Sequence, residues 1–146
     1  MKNKLMTDTV TLYHFIGTDA QSRDVYNRYL LKNVHFERRE SVLPVKSGFQ
    51  PYNSFKLYVD IQNKRNGLIY ADKFAFDALT SSAKAKCWTV AEGDFLTFGE
   101  TNYVLPTETV DGVKSKCEAF TVNTVNPYKL GKKYMLEISG RGRVID

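Results

Sequence analysis

The sequence predicts an all-β protein, a small β-barrel or two-sheet sandwich with long projecting loops and room for one short helix. Its last third reads as closely spaced short strands over residues 87–90, 95–98, 120–125 and 134–138, divided by Glu92-Gly93-Asp94, a polar stretch over 100–116 and a turn-rich connection over 126–132. The clearest alternation lies upstream, where Phe55, Leu57, Val59 and Ile61 occupy one parity and Lys56, Tyr58, Asp60 and Gln62 the other. No repeat, low-complexity tract or composition shift divides the 146 residues, so residues 1–146 form a single domain with one core.

Taken in order, Val10-Thr11-Leu12-Tyr13-His14-Phe15-Ile16 is rich in β-branched and aromatic residues and stops at Gly17-Thr18-Asp19, which is turn chemistry. Residues 24–31 and 34–39 read as two antiparallel strands joined tightly at Lys32-Asn33. A helix over 20–31 stays open, because Val25, Tyr29 and Leu30 also fall near helical spacing. Residues 42–54, with Pro44, Gly48, Pro51 and Asn53, read as a loop long enough to have a task. After the strand over 55–62, Asn63-Lys64-Arg65-Asn66-Gly67 turns the chain, Leu68-Ile69-Tyr70 forms a short strand, and residues 74–79 form a helical turn or an extended arm. Gly93-Asp94 makes a sharp turn before Phe95-Leu96-Thr97-Phe98, and the stretch over 100–116, with Pro106 and Asp111-Gly112, is mostly loop. The strands over 120–125 and 134–138 pair as a hairpin around 126–132.

Composition excludes several classes. With 42% hydrophobic and 25% charged residues the chain is neither disordered nor membrane-like, and no window approaches the roughly 18 consecutive apolar residues of a bilayer span. The start, Met1-Lys2-Asn3-Lys4-Leu5-Met6-Thr7-Asp8, has no apolar run, so no secretory signal is expected and Cys87 and Cys117 are expected as free thiols. The formal charge of +5 suits nucleic acid, but the basic residues are scattered along the sequence, which favours solvated lysines. The aromatic residues, 13% of the chain, alternate with polar ones as core positions do rather than interleaving with lysines.

No catalytic set is recognisable. His14 and His35 lack the spacing of a metal site, and His14 reads as a strand residue on the less buried face. Cys87 beside Trp88 reads as a packed thiol, Cys117 as more exposed but without a neighbouring base, and Asp94 as a turn residue. Asp60, Asp72, Asp77, Glu92 and Asp94 show no selected pair. Gly140 and Gly142 do not precede a helix, so no phosphate-cradling loop forms there, and Arg141 and Arg143 read as a short basic tail available to a partner. The sequence therefore describes a building block rather than an enzyme, with no cofactor.

Asp8-Thr9-Val10-Thr11-Leu12-Tyr13, the run from Arg28 through Lys32-Asn33 to Phe36, Glu92-Gly93-Asp94-Phe95-Leu96-Thr97-Phe98-Gly99-Glu100 and the closing Phe120-Thr121-Val122-Asn123-Thr124-Val125 to Leu136-Glu137-Ile138-Ser139-Gly140 together resemble small neck proteins of tailed bacteriophages and Gram-positive prophages, of the head-closure, stopper or minor capsid type. The resemblance covers about half the chain. It implies a compact β-barrel that assembles as a cyclic hexamer or dodecamer between the portal or adaptor protein and the tail terminator or tail tube, retains packaged double-stranded DNA and offers a tail-attachment surface. It also implies a place at the head–tail junction of a virion assembled in the host bacterial cytoplasm, with no membrane contact. Heterologous ring contacts suit long loops and open strand edges, so the candidate channel, gating or interface residues are Val42, Pro44, Lys46, Phe49, Pro51 and Tyr52 in the first loop and Thr107, Asp111 and Lys114 in the second, with Arg141 and Arg143 as an interface tail. A tail terminator or tail-completion ring is the alternative within this class. A nucleic-acid-binding β-barrel is the alternative from another.

Overall fold

The computed structural model describes residues 6–144. Its elements are β1 (Asp8–Thr18), β2 (Asp24–Val45), β3 (Gly48–Asp60), β4 (Ile69–Tyr70), α1 (Lys73–Asp77), α2 (Ser81–Lys84), β5 (Cys87–Trp88), β6 (Phe95–Phe98), α3 (Val110–Lys116), β7 (Ala119–Leu130) and β8 (Lys133–Val144). The protein is all-β, as its alternation requires.

Antiparallel hydrogen bonding runs β1-β2-β3-β8-β7-β6 and returns from β6 to β1, so the sheet closes on itself. The seam is short. β6 spans four residues, pairing Val10 with Phe98 and Tyr13 with Phe95 on one side and only three positions of β7 on the other. The wall is therefore complete around its middle, while the longer strands run past it as hairpins.

Period-two alternation sends Phe55, Leu57 and Val59 inward, and they meet Leu12, Leu31, Phe36, Leu96, Phe120, Leu136 and Ile138 in one buried cluster. At one end Phe36, Phe55 and Phe120 stack and tilt with ring centroids 5.3–5.9 Å apart. Gly140 and Gly142 make room for them: a Cβ at Gly140 would lie 1.8 Å from the Thr121 carbonyl oxygen and 2.9 Å from the Phe55 ring, and one at Gly142 would lie 2.8 Å from Phe120. The glycine alternation is a packing requirement of β8, because any side chain there collides with backbone or rings.

At the other end, the crossover from β3 to β6 plugs the barrel. β4 and β5 pair in parallel, and Trp88 and Val90 enter the main core with Leu68 and Tyr70 against it. A second small core forms outside the wall, where Tyr13 stacks on Phe95 at 4.7 Å beneath Leu105 and Val113. Both faces of β1 are thus covered from Val10 to His14.

Several expected boundaries move. Lys32-Asn33 is no hairpin turn: β2 runs through it, and Asn33, at φ 59°, lies where the register to β1 shifts by a residue, a β-bulge. The helical alternative for 20–31 is replaced by this strand. Residues 42–54 are not a loop but the continuation of β2 and β3, which pair from His35↔Tyr58 to Val45↔Gly48. Pro44 and Pro51 are tolerated there because the ribbon has no strand outside it. Residues 126–132 are likewise mostly ladder, with Leu130 opposite Lys133. The loop over 100–116 ends in α3, capped by the Thr109 hydroxyl on the Gly112 N–H at 3.0 Å. Among the described residues there are three short helices where one was expected. Arg141 and Arg143 belong to β8 rather than to a tail, and the side chain of Arg143 lies outside the described residues.

Candidate functional site

Three features carry chemistry or unpartnered surface: the arm formed by the β2–β3 hairpin, a cleft beside α3, and a buried polar relay in the plugged end.

The arm begins where the wall ends. β1 last pairs with β2 at Asp8↔Val34 and β8 last pairs with β3 at Tyr52↔Val144, so residues 42–51 form a ribbon of two strands alone. Directly opposed residues share a face of an antiparallel pair. Val42 opposes Pro51 and Pro44 opposes Phe49, so four of the six expected arm residues fall on one face, and each is exposed, Phe49 by 75%. Lys46 sits in the turn and Tyr52 on the opposite face, beneath the Arg141 guanidinium at 5.0 Å from its ring. An isolated two-stranded ribbon is marginal in water, and an exposed apolar face makes it more so.

The second expected group is dispersed. Thr107 lies exposed in the loop before α3, and Asp111 and Lys114 lie exposed on the helix. Only Lys114 approaches other expected residues, sharing with Arg141 a cleft of about 520 Å³ between α3 and β8. Lys116 also lines it, its Nζ 2.6 Å from Glu108, and Glu108 pushes the ammonium pKa up by hydrogen bonding. Glu118, on the rim, accepts from the Arg38 guanidinium at 2.7 and 3.1 Å, and Arg38 in turn covers the Phe36 and Phe98 rings. Cys117 lines the cleft too; burial pushes its thiol pKa up, which lowers the thiolate fraction and its nucleophilicity.

The relay was not foreseen. His14 is 1% exposed, not on a less buried face, because Val10, Leu12 and His14 share the inward parity of β1 and the crossover covers that end. Asp94, also buried, is more than a turn residue: it accepts from His14 Nδ1 at 2.6 Å, from the Phe15 N–H at 3.0 Å and from the Ala91 N–H at 2.8 Å. On the far side of the ring, Lys73 Nζ lies 3.2 Å from His14 Nε2 and donates to Asp77 at 2.9 Å. An ammonium has no acceptor, so Nε2 accepts and Nδ1 carries the proton toward Asp94. Phe76 meets the imidazole edge-on at 5.8 Å. With both ring nitrogens engaged and no face open to solvent, His14 has no free lone pair for a substrate. The relay instead fastens α1, five residues long and too short to persist alone, onto the barrel. The same burial raises the phenol pKa values of Tyr29 and Tyr70, and hydrogen bonding to Lys73 lowers that of Asp77. The inward parity of His14 and the Gly93-Asp94 turn were the available signals; their proximity was not readable.

Fold and arm together define a small β-barrel protein with projecting hairpins. Residues 5–141 match a family of unknown function, DUF6751, and the chain belongs to it. No curated protein matches the chain.

Proposed function

We propose that this chain is a structural protein of the phage neck, a head-closure or stopper subunit that assembles as a ring between portal or adaptor and tail and retains packaged DNA. The observation that carries the reading is the apolar face of the arm, where Val42, Pro44, Phe49 and Pro51 lie side by side in solvent on a ribbon with no strand beyond it. A closed-ring assembly joins one face of a subunit to a different face of the next, and an arm reaching past its own barrel supplies one half of such a contact. Pro44 and Pro51 offer no N–H to an added strand, so the ribbon engages through its face rather than its edge. The sequence resemblance to neck proteins supports the same role, and a tail terminator or tail-completion ring would use the same contacts.

Mass photometry of concentrated protein is expected to reveal one discrete cyclic species, and cryo-electron microscopy of particles to place the protein between portal and tail rather than at the tail end. Persistent monomer at high concentration together with absence from purified particles overturns the reading.

A further inference from the structure

We propose that the cleft between α3 and β8 binds the phosphodiester backbone of nucleic acid. This deepens the neck reading by naming the face that meets DNA, and rests on that reading only for the DNA being a packaged genome. Basic residues scattered in the sequence converge here: Lys114 and Lys116 come from α3 and Arg141 from β8, around a cleft of about 520 Å³ that Asn53, Ser115 and Thr121 also line. The carboxylates at this site are already occupied, Glu108 by Lys116 and Glu118 by Arg38. Among the described residues no carboxylate pairs with Lys114 or Arg141. Lys114 reaches only the Thr121 hydroxyl, at 3.4 Å, and Arg141 is held over the Tyr52 ring, which leaves its N–H edge free. Two unneutralised cations, one of them an oriented guanidinium fork, beside hydroxyl and amide groups match phosphate oxygens. Among the described residues no aromatic side chain lines the cleft, so it reads backbone and not sequence.

Fluorescence anisotropy with a labelled DNA duplex of arbitrary sequence tests this. The wild-type protein is expected to bind with an affinity that falls as salt rises. Combining Lys114→Ala with Arg141→Gln should weaken binding roughly 10- to 100-fold near about 0.1 M salt and make the log–log salt slope shallower by about 2. Lys114→Arg should retain binding, Lys64→Ala in the crossover should leave it unchanged, and circular dichroism should show every variant folded. A single strand should compete comparably per phosphate. Wild-type affinity in the double variant, displacement of duplex by polyglutamate at equal charge, or strong preference for the single strand overturns the assignment. Rings that bind no duplex sink the cleft alone; duplex binding through these residues by a permanent monomer sinks the neck reading alone.

Discussion

The two ends of the barrel differ chiefly in their polar groups, since exposed apolar side chains stand at both, Phe49 at one and Phe74 on α1 at the other. At the plugged end, the crossover buries Trp88, Val90 and Phe76 and encloses His14 and Asp94 with each hydrogen-bonding atom of the pair engaged. At the other end, the arm holds Val42 and Phe49 in water, and Lys114 and Arg141 stand without carboxylate partners among the described residues. The His14–Asp94 pair is satisfied inside the plugged end, although Arg65 Nε, Trp88 Nε1 and Thr89 Oγ1 are buried there without a hydrogen-bond partner, whereas the unpaired cations Lys114 and Arg141 lie on the surface.

The largest expected effect breaks the wall that separates the ends. Gly140→Val places a branched side chain into the Thr121 carbonyl and the Phe55 ring, with no rotamer to relieve a backbone contact of 1.8 Å. A loss of about 3 kcal/mol or more in urea unfolding is expected, since overpacking against backbone cannot relax as a side-chain contact does. Near wild-type stability would show that β7 and β8 shift apart freely, contrary to their ladder.

Asp94→Ala acts on the plugged end only. It strips acceptors from the part-buried Phe15 and Ala91 N–H groups and from buried His14, at a cost of about 2–4 kcal/mol. Hydrogen exchange should show α1 opening first, because Lys73 then holds an imidazole no longer oriented by its carboxylate. Uniform protection across the chain would instead place the strength of that end in Trp88 and Val90.

A smaller effect appears at alkaline pH. Burial holds the phenols of Tyr29 and Tyr70 above their ordinary pKa. The unfolded chain therefore ionises first, so their contribution is complete below about pH 10 and is lost as pH rises through the raised folded values. Unfolding midpoints should fall on that side, and Tyr29→Phe should flatten the fall. An unchanged profile in the variant would locate the alkaline sensitivity elsewhere.

Legibility in the sequence followed the range of the interactions. The strands over 10–16, 55–61, 95–98 and 134–138 were readable because alternation is local, and Phe55, Leu57 and Val59 are buried as their parity required. Strand length was not: turn residues at Lys32-Asn33 and prolines at 44 and 51 read as interruptions, whereas a bulge absorbs the first and a ribbon without outer neighbours accepts the second. Residues 42–52 read as a loop in the sequence, whereas they form the end of a hairpin. The relay joins positions 14, 73 and 94, and the cleft joins 114 with 141. Both depend on how a closed sheet folds back, which no window of sequence contains.

The smallest effect on stability is expected at the arm, and it sharpens the contrast most. Phe49→Asp replaces a side chain that is 75% exposed and supports no core, so unfolding should change by no more than about 0.5 kcal/mol. If the apolar face is an interface, the same substitution places a charge among Val42, Pro44 and Pro51 of every copy, and assembly should fail although each subunit is intact. Sedimentation of the variant beside wild type separates the two roles. A stable monomer where wild type forms rings assigns the arm to binding, while rings of unchanged size remove it from the interface and shift attention to the opposite hairpin, where Leu130 and Tyr134 are also exposed. Marked destabilisation would mean that the ribbon folds back on its own barrel in solution, and the difference between the ends would then be one of packing alone.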